Sequence, residues 1–316
     1  MKEAAEPPKL PTQSPLFYAQ NEQRYARQQQ IREYQELHDC RLVVMIDAIF
    51  PDVVVLFEEL LYTAKPEQNL HLLLSSPGGD GETAVRLARA AQARCNELTV
   101  IVPDQAKSAA TLMAMGAHCI LMGPTSDLGP VDPQFQLANG QLVSAKNIIA
   151  AVEDAETRVV ERPDTYALHA ALLADVSALM VQNARAALAR TEDLVKEALR
   201  SHPARDERTV TKLVKALREP LIELPASHGA VFGADDAHKA GLPVEQADPH
   251  SHQWQLLWRL YMKYVALGIM PGVMPGGFAY EGECASQVRA APRPPTAAYS
   301  NAQQQGPENS AWLGHQ

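Results

Sequence analysis

Short apolar runs alternate with helically spaced apolar positions through the first half of the chain. Residues 42–46, 71–75, 98–102 and 119–122 are dense in Leu, Val and Ile, the pattern of strands buried on both faces. Between them, residues 53–62, 82–94 and 107–117 carry apolar side chains at helical spacing. In the second of these Val85, Leu87, Ala88 and Ala91 fall on one side, and the third is a buried run of Ala, Met and Leu ending near Gly116. A strand–helix alternation of this kind predicts an α/β fold: a mainly parallel sheet, covered by helices and joined by right-handed crossovers. After Phe135 the pattern turns helical, over residues 145–158, 166–200, 207–217 and 234–240, the last stopped by Gly241-Leu242-Pro243. Residues 254–267 are apolar and aromatic, and predict a helix packed on the body or on another subunit. Residues 1–38 are polar and rich in Pro and Gln, which predicts a flexible lead-in followed by a short helix. From residue 275 onward Gly, Ala, Pro, Gln and Ser dominate, and a disordered tail is expected.

With 316 residues, 46% hydrophobic and 21% charged, the chain has room for one sizeable domain with accessory parts. Its formal charge of -9 argues against a general nucleic-acid binder, which needs clustered Lys and Arg. Cys40, Cys95, Cys119 and Cys284 are scattered, without metal-ligand spacing, and read as reduced thiols. With no apolar leader and no run of about 18 apolar residues, a cytoplasmic protein without stable membrane insertion is expected.

Two segments are candidates for chemistry. Ser75-Ser76-Pro77-Gly78-Gly79-Asp80-Gly81 places a glycine turn between a strand and a helix, where bare N–H groups suit a developing oxyanion. Pro103-Asp104-Gln105-Ala106-Lys107-Ser108-Ala109-Ala110-Thr111 places Ser108 at the start of a buried helix, past a parallel strand's C-terminal end. Taken alone, Ser108 reads as an N-cap.

Three ordered blocks change that weighting. Ser75 to Gly79, Ala106 to Leu112, and Gly123-Pro124-Thr125-Ser126-Asp127-Leu128-Gly129-Pro130-Val131-Asp132-Pro133-Gln134 resemble the serine dehydrogenase proteinase family, of the Clp protease/crotonase superfamily and related to signal peptide peptidase A. A later block, from His228-Gly229 to Gly241-Leu242-Pro243-Val244, fits as well, so the likeness covers roughly residues 40–245. The resemblance implies a Clp/crotonase-like fold of repeated ββα-type units, with a protease domain over 39–248 and a helix at 249–274 as a candidate oligomer contact. It further implies Ser108 as nucleophile, an oxyanion hole from the N–H groups of Gly78 or Gly79 with Ala109, a peptide or unfolded-protein substrate, a homo-oligomer, and no cofactor or metal.

The general base is the departure from the family pattern. Where Clp subunits carry a histidine, this chain has Asp132, before Pro133-Gln134. Lys146, at the start of a helix, matches the lysine base of the signal-peptide-peptidase branch, and burial would favour its neutral form. Asp132 is an alternative, accepting the proton itself or orienting a water; it also suits a turn cap. Lys107 reads as a rim charge, His118 as a core residue, His228 and His238 as weaker candidates, and the His250/His252 pair as poor evidence for metal.

Three rivals remain open. Gly79-Asp80-Gly81-Glu82-Thr83-Ala84 matches a dinucleotide turn, but Asp80 and Glu82 would stand against a pyrophosphate. A crotonase-type acyl-CoA enzyme would use the oxyanion donors without Ser108. A non-catalytic, peptide-binding scaffold would keep the groove alone.

Overall fold

The computed structural model describes residues 13–137, 140–223, 229–270 and 276–291. In chain order, α1 (Pro15–His38) leads to β1 (Cys40–Ile46), α2 (Val53–Leu61), β2 (Asn69–Ser75), α3 (Gly81–Gln92) and β3 (Leu98–Val102). The two-residue β4 (Gln105–Ala106) precedes α4 (Ala109–Met115), β5 (Cys119–Met122) and the two-residue β6 (Asp127–Leu128). A hairpin of β7 (Gln134–Gln136) and β8 (Leu142–Ser144) opens onto α5 (Ala145–Glu161), α6 (Tyr166–Leu172), α7 (Ala178–Arg200) and α8 (Glu207–Arg218). They are followed by α9 (Ala234–Lys239), β9 (Val244–Gln246), α10 (His252–Val265), β10 (Phe278–Glu281) and β11 (Ser286–Arg289).

Seven strands form one sheet in the order β11-β10-β1-β2-β3-β5-β9. The run from β1 to β9 is parallel, and β10 and β11 are antiparallel at one edge. Successive side chains point to opposite faces, so each strand feeds two cores. Val43, Met45, Leu72, Leu74, Val100 and Met122 face the larger core, with residues of α2, α3, α4, α7 and α8. Leu42, Val44, Ile46, Leu73, Ile101 and Leu121 face a second core under α1 and α10. This double burial is why the parallel strands read as continuous apolar runs.

Beyond the C-terminal ends of the central strands the chain pairs a second time. Ile49 bridges Gly79, Ser76 bridges Ala106, β4 pairs β6, and Leu128 bridges Phe232. β1, β2 and β3 are thus each followed by a short second pairing before the next helix begins, which is the ββα-type unit. Local sequence sets several helix starts: the side chains of Asp80, Ser177, Asp206 and Ser251 each accept the backbone N–H three residues on.

Three segments differ from expectation, and α10 takes one of the two places expected for it. The lead-in holds a 24-residue helix from Pro15, capped by Ser14, with Arg27, Gln28, Ile31 and Tyr34 buried along one stripe. The tail expected to be disordered contains β10 and β11. Buried Glu281 in β10 accepts from Arg27 (2.6 Å), Tyr264 (2.7 Å) and Ser286 (2.7 Å), partners that a local pattern does not display. The helix expected over 166–200 is two helices, α7 starting afresh at its Ser177 cap. Helix α10 spends Trp254, Leu257, Leu260, Tyr261 and Tyr264 on the chain's own sheet.

Candidate active site

The site is assembled from the loops that leave β1, β2 and β3. The backbone of Ser76 is held on both sides of Ala106, its N–H donating to Gln105 O (2.9 Å) and its carbonyl accepting from Lys107 N (3.0 Å). This brings the glycine turn against the Ser108 loop. Gly78 and Gly79 have φ of 99° and 142°, which side-chain-bearing residues rarely adopt. A Cβ on Gly78 would lie 2.7 Å from both Ser108 Cβ and Lys107 O; one on Gly79 would lie 2.2 Å from Ile49 O. Both positions therefore require glycine, for conformation and for space.

Ser108 is not an N-cap. An N-cap sits in the extended region and its side chain accepts a helical N–H, whereas Ser108 has φ 51° and ψ -115° and makes no such bond. A serine with positive φ at a sharp strand-to-helix turn is the geometry of a nucleophile elbow, which lifts Oγ out of the backbone. Ser108 is half-buried, and its Oγ has no hydrogen-bond partner among the described residues. The turn is held by Thr111, whose buried hydroxyl sits 2.7 Å from Ala106 O and 3.0 Å from Gly129 O, and accepts Gly129 N–H (3.0 Å).

The glycine pair divides its duties. Gly78 N–H donates to Ser76 Oγ (3.1 Å). The N–H groups of Gly79 and Ala109 have no protein acceptor among the described residues. Gly79, Ser108 and Ala109 line one cleft of about 220 Å³, with Asp80, Gly81, Glu82, Leu112, Val131, Asp132, Pro133, and Ala187, Arg190, Thr191 and Leu194 of α7.

Three carboxylates reach this cleft. Asp80 caps α3 through Thr83 N–H (2.7 Å), so the helix N-terminus where a dinucleotide phosphate would sit already carries a carboxylate. Glu82 pairs bidentately with Arg190 (2.7 and 2.9 Å). Asp132 is 3% exposed; its Oδ2 accepts from Gln134 (3.2 Å), and its Oδ1 has no hydrogen-bond partner among the described residues.

The other base candidates lie elsewhere. Lys146 does not line the cleft: its Nζ donates to the carbonyls of Ile222 (3.4 Å) and Glu223 (3.3 Å). Lys107 is no solvated rim charge. It is half-buried in an ion pair with Asp127 and donates to Leu128 O and Ala230 O. Burial raises the Asp127 carboxyl, and the Lys107 bond opposes the rise. His118 lies at the opposite end of the sheet, its Nδ1 accepting Leu98 N–H (3.1 Å) and its ring packed on His202. His238, His250 and His252 are exposed, and His228 lies outside the described residues. Among the described residues no histidine or lysine lines the cleft, no acidic, His or Cys cluster suits a metal ion, and no helix is long and apolar enough to cross a membrane.

Sequence inspection missed the α7 wall. Arg190 and Leu194 follow Ser108 by more than 80 residues, and their pattern there is that of any amphipathic helix.

A parallel sheet with paired strand extensions, a serine elbow at their C-terminal edge and two open N–H groups beside it place the chain in the Clp-like α/β class. The chain belongs to the ClpP-like SDH-type serine proteinases, whose family model matches residues 57–263. It is similar to the uncharacterized protein MJ0137 of Methanocaldococcus jannaschii, at 30% identity over 186 residues, 59% of this chain and 57% of that one. A second uncharacterized protein of that organism, MJ1495, matches at 35% over 66 residues, 21% of this chain and 23% of its own. The chain thus spans little more than half the length of the first of these relatives.

Proposed function

We propose that the chain is a serine peptidase that cleaves short or unfolded peptides through an acyl-enzyme on Ser108. The observation that carries this proposal is the positive-φ Ser108, with an unpartnered Oγ, beside the unpartnered N–H groups of Gly79 and Ala109. Ser108 Oγ attacks the scissile carbonyl carbon, and its proton passes to a carboxylate. The carbonyl oxygen becomes the oxyanion and accepts from Gly79 and Ala109, which needs no rearrangement of the donors. The C–N bond then breaks as the amine takes up that proton. Water repeats the sequence on the acyl-enzyme and restores the Ser108 hydroxyl.

Asp132 is the base in this scheme. Of the three carboxylates in the cleft, Asp80 is spent on a cap and Glu82 on Arg190, while Asp132 keeps one oxygen unpartnered. The chemistry requires no metal or organic cofactor. A homo-oligomer in the cytoplasm is part of the proposal.

The absence of histidine and lysine from the cleft among the described residues favours one rival, a peptide-binding scaffold that has lost turnover. Hydrolysis of a fluorogenic peptide set by wild type, Ser108→Ala and Asp132→Asn separates the two. A peptidase loses turnover in both variants with its fold intact. A scaffold hydrolyses nothing and binds peptide equally well in all three.

A further inference from the structure

We propose that Thr111 is the positioning residue of this site: its hydroxyl sets Ser108 and Ala109 against the segment that carries Asp132, and through that geometry the rate of acylation. The inference rests on the peptidase function above and adds the group that keeps its parts in place. Thr111 is fully buried in the first turn of α4, three residues after Ser108. Its hydroxyl reaches back to Ala106 O (2.7 Å), two residues before Ser108. This tie closes a six-residue loop, 106 to 111, with Ser108 and Ala109 inside it. Ser108 holds φ 51° and ψ -115° there, and a residue with a side chain keeps such a conformation only where the structure around it over-determines it. Backbone bonds supply part of that constraint: Lys107 N to Ser76 O (3.0 Å), Ala110 N to Lys107 O (2.9 Å) and Leu112 N to Ser108 O (3.2 Å). Thr111 adds the side-chain closure across the turn.

The same hydroxyl reaches a second segment. The parallel pairing of β4 with β6 matches Gln105 to Asp127 and Ala106 to Leu128, and stops where the chain turns into the Ser108 elbow. Gly129, next along, meets the Thr111 hydroxyl instead of a strand: its N–H donates to Oγ1 (3.0 Å) and its carbonyl lies 3.0 Å from it. With one proton to give, the hydroxyl serves Ala106 O or Gly129 O, and its oxygen accepts Gly129 N–H in either case. A buried backbone N–H requires such a partner, so a side chain here does the work of a strand neighbour. Asp132 follows three residues later, and its carboxylate reaches Gln134 of its own segment (3.2 Å). Its place relative to Ser108 therefore rests on the backbone, which Thr111 fastens at Gly129 and Leu221 O fastens at Val131 (2.9 Å).

The test compares wild type with Thr111→Val, which keeps the branched shape and removes the hydroxyl, and with Thr111→Ser, which keeps the hydroxyl. Rates are taken per folded molecule, for a fluorogenic peptide and for labelling by a small fluorophosphonate. Thr111→Val is expected to lower kcat by about 10- to 100-fold, the scale set by a displacement of reacting groups of about 1 Å. KM is expected to stay unchanged, because the lost interaction acts on the transition state and not on peptide binding. Labelling should slow in step with kcat, and Thr111→Ser should restore most of both rates. Tyr264→Phe is the control for stability alone. It takes a buried hydroxyl off Glu281 (2.7 Å) in the core on the other face of the sheet, and should leave the rates per folded molecule at the wild-type level. If Thr111→Val does not fold, Thr111→Ser against Thr111→Ala isolates the hydroxyl, with the alanine variant expected to be the slow one. Thr111→Val at the wild-type rate, or Thr111→Ser as slow as Thr111→Val or Thr111→Ala, overturns the role. Wild type labelled at Ser108, with Thr111→Val labelled as fast, removes the role of Thr111 and leaves the peptidase. Wild type that neither labels nor hydrolyses removes both.

Discussion

Ser108→Gly is expected to give a more stable protein than Ser108→Ala, although neither hydrolyses peptide. Position 108 holds φ 51° and ψ -115°, a conformation that costs a residue with a side chain about 1–3 kcal/mol. Alanine keeps the Cβ and with it the strain. Glycine removes both, and gives back about 0.5–1 kcal/mol through the greater freedom of its unfolded chain. The difference left is about 1 kcal/mol in favour of Gly, or roughly 2–4 °C in Tm for a domain of this size. Thermal unfolding of the two variants, side by side in one buffer, reads it directly. An alanine variant as stable as the glycine variant, or more so, would show that the turn is not strained, and the nucleophile-elbow argument would fail with it.

Asp132→Asn is expected to lower kcat by at least about 100-fold, the lower range for loss of a general base, with a Tm no lower than wild type because the carboxylate oxygen it replaces has no partner. Lys146→Met is expected to keep the rate of Ser108 acylation within about twofold, since its ammonium is held by Ile222 and Glu223 carbonyls away from the cleft; a 100-fold loss would make lysine the base after all. Lys107→Met is expected to destabilise by about 1–2 kcal/mol in denaturant titration, because it leaves the half-buried Asp127 carboxylate without its cation. Burial holds His71 near 4, against an ordinary 6.5, with His38 adding to the effect. The folded chain thus refuses a proton that the unfolded chain accepts, and stability present above pH 6.5 falls between about 6.5 and 4. His71 alone accounts for up to about 3 kcal/mol of this loss. Denaturant midpoints at pH 7.5 and 4.5 check the fall, and His71→Gln should flatten it.

The parallel core was legible because its strands, buried on both faces, leave apolar runs. β10 was not legible. It is four residues long and includes a glutamate whose burial depends on an arginine 254 positions away. The central sheet's edge strand β9 has three residues, too few for a period to register. In the site, the glycines and Ser108 stand out locally, since a turn and a helix start are local features. Which N–H groups stay open is not local: it depends on Ser76 Oγ taking Gly78 and leaving Gly79. Likewise Lys107 and Asp132 look alike as loop charges until the fold pairs one with Asp127 and sets the other in the wall of the cleft.

The central claim is that Ser108 is an activated nucleophile. Intact mass after exposure to a small fluorophosphonate, for wild type and Ser108→Ala, tests it most directly. The account predicts one adduct on wild type, mapped to Ser108, and none on the variant. A folded wild-type protein that stays unmodified, or an adduct that persists in Ser108→Ala, would contradict it.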